Sequence, residues 1–332
     1  MKICFVDNTN FQYDSNFLYS ELLRGAESIL INLSSTLSKN GHKITIINNC
    51  PNPGNINNIN WININSNLKI ENYDLVIANG DCNLFKHAKS NNNVLFSHSI
   101  QTLEKFIRKN QFFSYLKYKP KVCFLSKYHK SNRSKLLHIF GEINLEWAVD
   151  EIFLKTNVLE NIDNNLAIFT SRPDRNLKML LDIWEKFIIP KNKDLKLLVT
   201  NNSYDYNYQS IIKRKLSDQR NLIKDLQSSR MAIIPGHKAE LYCLAAEEAK
   251  ELCVPIVTLG IGSLAERVEH EKSGLIAKND LQFSEYIFEL FNNNDLWKSI
   301  RNNLVLQRGK NTWKKVAEEL VNQTNNYRYG KK

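Results

Sequence analysis

Glu240 and Glu248 are the residues of this sequence whose type and spacing could do chemistry. They lie in a stretch whose apolar residues recur at helical spacing, and Glu248 falls on the apolar face. The apolar positions of that face are Leu241, Leu244, Ala245 and Leu252. An ionised carboxylate there is costly unless it is paired or hydrogen-bonded. Glu248 is therefore expected to meet a ligand hydroxyl or donor, or else to form a structural ion pair with a buried arginine.

The two glutamates follow a predicted strand, Met231–Ile234, and the loop 235–239. In open α/β sheets, ligands bind at the carboxyl ends of strands, and helix N-termini bind anions. If the residues between the glutamates are helical, the two carboxylates lie roughly 12 Å apart. That distance is comparable to the reach from a sugar to a ribose across a diphosphate. One carboxylate could hold sugar hydroxyls and the other ribose hydroxyls, with the phosphates over the helix amides.

The chain is strongly basic, with a formal net charge of +11 over 332 residues. Nucleic acid, an anionic membrane surface and phosphorylated substrates are the partner classes that such a charge favours. The sequence has no zinc-finger spacing, RNA-recognition signature or basic helix-turn-helix, so nucleic acid is not expected. The abundance of Asn, Ile and Lys is typical of a biased base composition and says little about function.

The six cysteines form no Cys-x-x-Cys pair and no cluster with histidine, so we expect buried thiols and no structural zinc. No apolar stretch is long enough to span a bilayer, and the N-terminus does not read as a signal peptide. These features predict a cytoplasmic protein.

Strands and helices alternate along the chain, which predicts parallel sheets with crossover helices. The predicted strands are Lys2–Val6, Lys43–Ile47, Asp74–Ala78, Val94–Phe96, Val122–Leu125, Leu166–Thr170, Leu195–Val199, Met231–Ile234, Pro255–Leu259 and Leu275–Ala277. The predicted helices are about Leu22–Lys39, then Asn176–Phe187, Phe283–Asn292, Leu296–Leu306 and Thr312–Asn322. The pattern restarts after a polar linker, Leu154–Asn165. We expect two Rossmann-like, doubly wound α/β domains that face a central cleft.

The motif Glu240-x7-Glu248 resembles the E-x7-E motif of glycosyltransferase family 4, retaining enzymes of the GT-B fold. The segment after the next strand, with Gly260 and Gly262, is similar to the Gly-rich loop of that family, and Gly274-Leu-Ile to its later element. Glycines after a strand let backbone amides approach a phosphate or ribose. The family has Gly-Phe-Gly after its first Glu, whereas this chain has Leu-Tyr-Cys, a departure that bears on the donor sugar.

Further matches are spread over most of the chain. Gly25-Ala-Glu27 resembles the N-terminal glycine loop of the family, with Arg24 where a second Gly is common. His98 resembles its cleft histidine, and the segment 147–153 resembles its domain junction. Arg172 and Arg175 resemble a shortened phosphate-binding element in which Arg175 replaces the usual Lys. From the residues alone, His98 is better explained as a satisfied core or loop histidine, whereas an Arg at a helix start favours a bound anion.

The resemblance implies a hexosyltransferase of the retaining type that moves a sugar from a nucleotide-sugar to a saccharide or lipid-linked acceptor, in polysaccharide or glycolipid synthesis. Its implied catalytic residues are Glu240, His98, Arg172 and Arg175. Its implied donor-binding residues are Glu248, Gly25, Leu244, Gly260 and Gly262. No Asp-x-Asp motif is present to hold a divalent cation, so neither a metal nor another cofactor is expected. The alternatives are a GT-B-type nucleotide-sugar epimerase and an inactive nucleotide-sugar or anion-binding protein.

The resemblance also implies an acceptor domain over residues 1–155, a nucleotide-sugar donor domain over 156–308, and a last helix, within 309–332, that packs on the first domain. Residues 105–121 interleave six basic and five aromatic side chains without an acid. Such a segment suits the anionic inner face of the cytoplasmic membrane. The alternative is an ordinary helical segment with its aromatics in the core and its lysines in water.

Overall fold

Short runs of β-branched and aromatic residues build two sheets in this protein, because such runs can be buried on both faces of a parallel sheet. The computed structural model describes residues 1–19, 23, 25–67, 69–159, 162–200 and 209–325. Contacts divide the chain into an N-terminal unit, Met1–Trp147 with Thr312–Lys332, and a C-terminal unit, Ala148–Asn311.

The N-terminal unit contains an eight-stranded sheet with the order β3-β4-β2-β1-β5-β6-β7-β8. Its neighbouring strands run parallel except for the hairpin of β3 and β4. The strands are β1 Lys2–Val6, β2 Lys43–Asn48, β3 Gly54–Ile56, β4 Ile59–Asn63, β5 Leu75–Asn79, β6 Asn93–Phe96, β7 Lys121–Phe124 and β8 Glu142–Asn144. The α-helices are α1 Gly25–Lys39, α2 Leu103–Arg108, α3 Phe112–Tyr118, α4 Lys127–Ser131 and α12 Trp313–Asn325. Short 3-10 segments cover Ser15–Phe17, Cys82–His87 and Lys135–His138.

The C-terminal unit contains a six-stranded parallel sheet with the order β11-β10-β9-β12-β13-β14. Its strands are β9 Asp163–Phe169, β10 Lys196–Val199, β11 Ile211–Lys213, β12 Ser229–Ile233, β13 Ile256–Thr258 and β14 Gly274–Ile276. Its α-helices are α5 Glu151–Lys155, α6 Leu177–Ile183, α7 Gln219–Ser228, α8 Leu244–Glu251, α9 Leu264–Arg267, α10 Asp280–Asn292 and α11 Asn294–Gln307. A π-helical segment, Trp184–Ile188, extends α6.

The division between the two units falls directly after Trp147. Trp147 contacts Phe96 and stacks on Trp313 of α12 at a centroid distance of 6.2 Å, all within the N-terminal unit. Val149 and Phe153 belong to a hydrophobic core of the C-terminal unit. Residues 148–155, which the sequence assigned to the first domain, therefore pack in the second unit. The helix α12 packs against α1.

The six cysteines are buried and free. Among the described residues, no helix combines the length and the hydropathy needed to cross a membrane.

Candidate functional site

The loops after β9 and β12 lie side by side because β9 and β12 are neighbours at the centre of the C-terminal sheet. From β9 the chain moves outward through β10 to β11, and β12 then starts the other half of the sheet. Ligands of doubly wound sheets bind at the carboxyl ends of strands where the strand order reverses in this way. The loop after β9 carries Arg172 and Arg175, and the loop after β12 carries Glu240.

Arg175 and Glu240 form an ion pair across these two loops. Arg175 Nε lies 3.2 Å from Glu240 Oε2, and the side chains are only 16% and 21% exposed. Burial raises the pKa of Glu240 above its usual value. The charge of Arg175, the backbone amide of Cys243 and the charge of Arg172 oppose that rise. The structure thus brings together three of the predicted catalytic residues.

Asp174 is a member of the site that the sequence analysis missed. Arg172 donates from Nε to Asp174 Oδ1 at 3.0 Å and from a terminal nitrogen to Oδ2 at 2.7 Å. Arg175 also donates to Asp174 Oδ2, at 3.0 Å. The sequence feature that could have identified Asp174 is an acidic residue between two arginines within one turn. The Arg172 side chain is 70% exposed, so water screens the effect of its charge on the site. The Arg175 side chain is largely protected from water, so its charge is screened much less.

Gly262 holds the loop that carries Glu240. Ser263 N donates to Glu240 O at 2.9 Å, and Glu240 N donates to His237 O at 2.8 Å. A Cβ on Gly262 would lie 2.4 Å from His237 O and 2.8 Å from Glu240 O, and its φ of +74° is left-handed. The tight approach at this glycine is therefore to the protein backbone. Gly260, with φ +65°, packs instead against the side chain of Ile276, whose Cγ2 would lie 3.0 Å from an added Cβ.

We expect Gly262→Ala to destabilise the C-terminal unit by about 2 kcal/mol or more, because it adds a backbone clash to the cost of a left-handed residue. Gly309→Ala is the matched control: Gly309 has the same φ of +74°, but a Cβ there would meet nothing within 4 Å. The control is expected to lose only about 1 kcal/mol. Urea unfolding of both variants compares them, and equal losses would contradict the packing role of Gly262.

The helix α8 begins at Leu244, so the helix expected from Leu241 starts three residues later than predicted. Cys243, the residue before Leu244, has a left-handed φ of +62°, which a continuous α-helix does not allow. Glu240 lies in the preceding turn. The spacing of roughly 12 Å assumed a continuous helix and does not apply.

Glu248 lies beside the core-facing side of α8 rather than on it. The buried residues of the helix are Ala246 and Ala249, while Leu244, Ala245 and Glu248 are half-buried. Within the described part of the chain, no hydrogen bond or ion pair holds the Glu248 carboxylate. The alternative of a structural pair with a buried arginine is therefore not found there.

The environment of Glu248 favours the protonated acid. Burial raises the pKa of Glu248 to about 8, and the negative charge of Asp150 adds to the rise. Asp150 is itself held as the N-cap of α5, where its Oδ1 accepts from Ile152 N at 2.9 Å. Burial and the charge of Asp150 thus both disfavour the ionised form of Glu248. Hydrogen bonds from the hydroxyls of a ligand would stabilise that ionised form.

A polar chain in the N-terminal unit positions His98. Asp7, Asn79 and His98 stand at the carboxyl ends of the adjacent strands β1, β5 and β6. His98 Nε2 lies 2.6 Å from Asn79 Oδ1, Asn79 hydrogen-bonds the Asp7 carboxylate, and Tyr13 Oη donates to Asp7 Oδ2 at 2.8 Å. Burial raises the pKa of Asp7.

The surroundings of His98 favour the neutral imidazole. Its surroundings lower the pKa of His98 to about 4 through burial, although its exposed side chain lets solvent moderate that effect. If Nε2 carries the proton and donates to Asn79 Oδ1, then Nδ1 remains as an acceptor for a substrate hydroxyl.

The remaining predicted site residues stand at helix starts. Gly25 is the first residue of α1 and is exposed, and Glu27 is buried in the first turn. Leu244 is the first residue of α8 and is half-buried. Arg24 and the predicted helix start at Leu22 lie outside the described residues.

No protein-family model matches the sequence, and no curated protein matches it either. Several solved structures match over nearly the whole chain at low identity. A glycosyltransferase from Rickettsia africae has a TM-score of 0.70 and 15% identity, with 99% of both chains covered. HepE from Anabaena, solved with UDP and glucose, has a TM-score of 0.68 and 13% identity, covering 98% of this chain and 99% of its own. WaaG, a glycosyltransferase involved in lipopolysaccharide biosynthesis, has a TM-score of 0.67 and 11% identity, covering 97% and 99%.

At these identities the comparisons establish the fold. They confirm the prediction of two parallel-sheet α/β domains, and the chain has the GT-B glycosyltransferase fold.

Proposed function

We propose that this protein is a retaining glycosyltransferase of the family 4 type. It would transfer a hexose from a nucleotide-sugar to a saccharide or lipid-linked acceptor, in the synthesis of cell-surface polysaccharide or glycolipid. The observation that carries this proposal is the meeting of Arg175, Arg172 and Glu240 at the point where the strand order of the C-terminal sheet reverses. The similar structures solved with UDP and glucose, and involved in lipopolysaccharide biosynthesis, support it.

In the proposed reaction, the Arg175–Glu240 ion pair is replaced by contacts of both residues with the donor. A nucleotide-sugar brings a diphosphate whose negative charge grows as the bond to the sugar breaks. Arg175 and Arg172 are the cations available to neutralise it, in the manner of preorganised electrostatic stabilisation. When Arg175 turns to the diphosphate it releases Glu240, whose carboxylate then accepts hydrogen bonds from hydroxyls of the donor sugar.

Two further groups complete the proposed machinery. Glu248 binds the ribose hydroxyls of the nucleotide, with the phosphates near the start of α8 at Leu244. His98, neutral at pH 7, accepts a hydrogen bond from a hydroxyl of the sugar or of the acceptor. The acceptor oxygen attacks on the face from which the diphosphate departs, so the anomeric configuration is retained.

We propose that transfer needs no resident metal ion or other cofactor, because Arg172 and Arg175 supply the positive charge that a metal would otherwise bring to the diphosphate.

A donor screen tests the proposed function. The protein is incubated with UDP-, GDP- and ADP-sugars and a mixture of saccharide acceptors, with and without EDTA, and release of the nucleoside diphosphate is measured beside a Glu240→Ala variant. One donor should release its nucleoside diphosphate both with and without EDTA. The Glu240→Ala variant should lose more turnover than nucleotide affinity. Conversion of the donor to its epimer would support the epimerase alternative, and nucleotide binding without any reaction would support the inactive protein. Loss of activity with EDTA would contradict the metal-free mechanism.

We also propose that the protein works in the cytoplasm at the inner face of the membrane, through a basic surface formed by α2 and α3. Of the six cations in 105–121, Arg108, Lys109, Lys117 and Lys119 are exposed. Lys105 is half-buried, and Lys121 is buried and donates to Gln323 O. Three apolar side chains stand among the cations, Phe113 (82% exposed), Ile107 and Leu116. Exposed cations around protruding apolar side chains suit an anionic bilayer.

The core of the same segment fits the ordinary-helix alternative, because Phe106 and Tyr115 are buried. The charge-reversal pair Lys109→Glu and Lys117→Glu separates the two interpretations. We expect this double variant to lose most of its co-sedimentation with vesicles rich in phosphatidylglycerol at low salt, since each cation near such a surface contributes about 1 kcal/mol. The control is Lys314→Glu with Lys315→Glu, two exposed positions on α12. If the unchanged protein does not sediment with the vesicles, the membrane proposal is wrong.

A further inference from the structure

The carboxylate of Asp174 lies between the two arginines that are proposed to bind the donor diphosphate. Arg172 donates two hydrogen bonds to it, one to each oxygen, at 3.0 and 2.7 Å. Arg175 donates a third, at 3.0 Å, to the Oδ2 atom that Arg172 also contacts. One carboxylate oxygen thus bridges two guanidinium groups. Guanidinium groups pair with carboxylates and with phosphates in the same geometry, so a diphosphate oxygen could take the place of this atom.

A single turn of the backbone holds these three side chains together. Arg175 N donates to Arg172 O at 2.9 Å, and the ring of Pro173 restricts the backbone between them. Asn176 follows with a left-handed φ of +65°, and its side-chain amide donates to a backbone carbonyl of the loop after β12 at 2.5 Å. The turn is therefore fastened to the neighbouring loop. Asp174 stays within reach of both arginines whatever else they bind.

The positive charges of the two arginines are matched within the protein. Arg175 Nε also lies 3.2 Å from Glu240 Oε2, so two arginines face two carboxylates and the four side chains carry no net charge. Such a group attracts a diphosphate only weakly unless one carboxylate moves aside. Asp174 is the one that can move at low cost, because its side chain is 47% exposed, against 21% for Glu240, and water can hydrate it.

We propose that Asp174 is an internal competitor of the donor diphosphate. Its carboxylate pairs with Arg172 and Arg175 between reaction cycles, gives way when the donor binds, and returns as the nucleoside diphosphate leaves. This inference rests on the proposed function for the identity of the ligand. A single phosphate only replaces the three bonds that Asp174 already makes, whereas a diphosphate has further oxygens for both arginines. Asp174 therefore selects diphosphates over inorganic phosphate.

Isothermal titration calorimetry of the full chain tests this role with UDP, GDP, ADP, pyrophosphate and inorganic phosphate. The Asp174→Asn variant should bind the preferred nucleoside diphosphate about three- to tenfold more tightly, because the arginines are then always open to the ligand. Its affinity for inorganic phosphate should rise by at least as much. Asp174→Glu, which keeps the carboxylate, should stay within about twofold of the unchanged protein. The control is Asp182→Asn, which removes an exposed acid from α6 and should leave the affinities unchanged.

A double variant shows whether Asp174 acts through its arginine partners. Without Arg172, two of the three hydrogen bonds of Asp174 are lost. In an Arg172→Gln background, the gain from Asp174→Asn should therefore shrink to less than about twofold. In the transfer reaction, Asp174→Asn alone should strengthen inhibition by the nucleoside diphosphate product by the same factor as it strengthens binding.

The direction of the change in affinity decides the matter. A residue that merely orients the arginines would weaken binding when it is removed, so weaker or equal binding of the nucleoside diphosphate by Asp174→Asn would overturn the proposal. An equal gain in Asp182→Asn would overturn it as well.

Pyrophosphate separates this proposal from the proposed function. If no nucleoside diphosphate binds, but Asp174→Asn binds pyrophosphate more tightly than the unchanged protein does, the competitor role stands and the transferase is rejected. If a nucleoside diphosphate binds both proteins equally, the transferase stands and the competitor role is rejected. Binding of no anion by either protein would reject both.

Discussion

Arg175→Gln is expected to slow sugar transfer by roughly 100- to 1,000-fold, the cost of removing one preorganised donor from a developing negative charge. Two effects combine in this variant. The diphosphate loses its least exposed cation, and Glu240 loses the partner whose charge opposes the rise of its pKa. The measurement is kcat for release of the nucleoside diphosphate from the donor identified by the screen.

The pH profile of the Arg175→Gln variant provides a second observation. The carboxylate of Glu240 must be ionised to accept sugar hydroxyls, so activity should fall at low pH in the unchanged protein. Without Arg175 the pKa of Glu240 rises further, and that acidic limb should move to higher pH. Arg172→Gln should cost less, about tenfold, since Arg172 is largely solvated. Lys178→Gln, an exposed cation on α6, is the matched control. A loss in the Lys178→Gln variant equal to that in the Arg175→Gln variant would contradict the assignment.

Glu248→Gln is expected to remove a pH dependence from both nucleotide affinity and stability. With a pKa of about 8, Glu248 is mostly protonated at pH 7 and mostly ionised at pH 9. If the carboxylate is the form that binds the ribose hydroxyls, affinity should rise roughly tenfold between these pH values, in proportion to the ionised fraction. The Glu248→Gln variant should bind more weakly and lack this rise, which also corrects for titration of the nucleotide itself.

The stability of the ligand-free protein should change in the opposite direction. The folded pKa of Glu248 lies above the usual glutamate value of about 4.5, so the folded state holds a proton that the unfolded chain releases. Its contribution is complete below about pH 4.5 and is lost as the pH rises through 8. The difference between the unchanged protein and Glu248→Gln should reach roughly 2 to 3 kcal/mol across that window, after allowance for partial exposure. Urea unfolding at pH 4.5 and 9 measures it, with Glu285→Gln on α10 as an exposed control. Parallel curves for the Glu248→Gln variant and the unchanged protein would contradict the raised pKa.

Many of the interior strands of both sheets could be predicted from the sequence because they are continuous apolar runs. Lys2–Val6 and Leu195–Val199, for example, agree with β1 and β10 to within one residue. Short strands at the edges, such as β3 and β11, were missed because partly exposed strands carry no such run.

The site was harder to predict because it depends on backbone geometry. The left-handed Cys243 separates Glu240 from α8, and a non-Gly residue in that conformation has no sequence signal. The role of Gly262 depends on a loop from a different strand.

The central claim is that the C-terminal unit binds a nucleotide through Glu248 and Arg175. Isothermal titration calorimetry of the full chain against UDP, GDP and ADP tests it most directly. We predict that one of the three binds with one site per chain, and that Glu248→Gln weakens this binding about tenfold at pH 9. If none of the three binds at millimolar concentration, or if Glu248→Gln binds as tightly as the unchanged protein, the claim is contradicted.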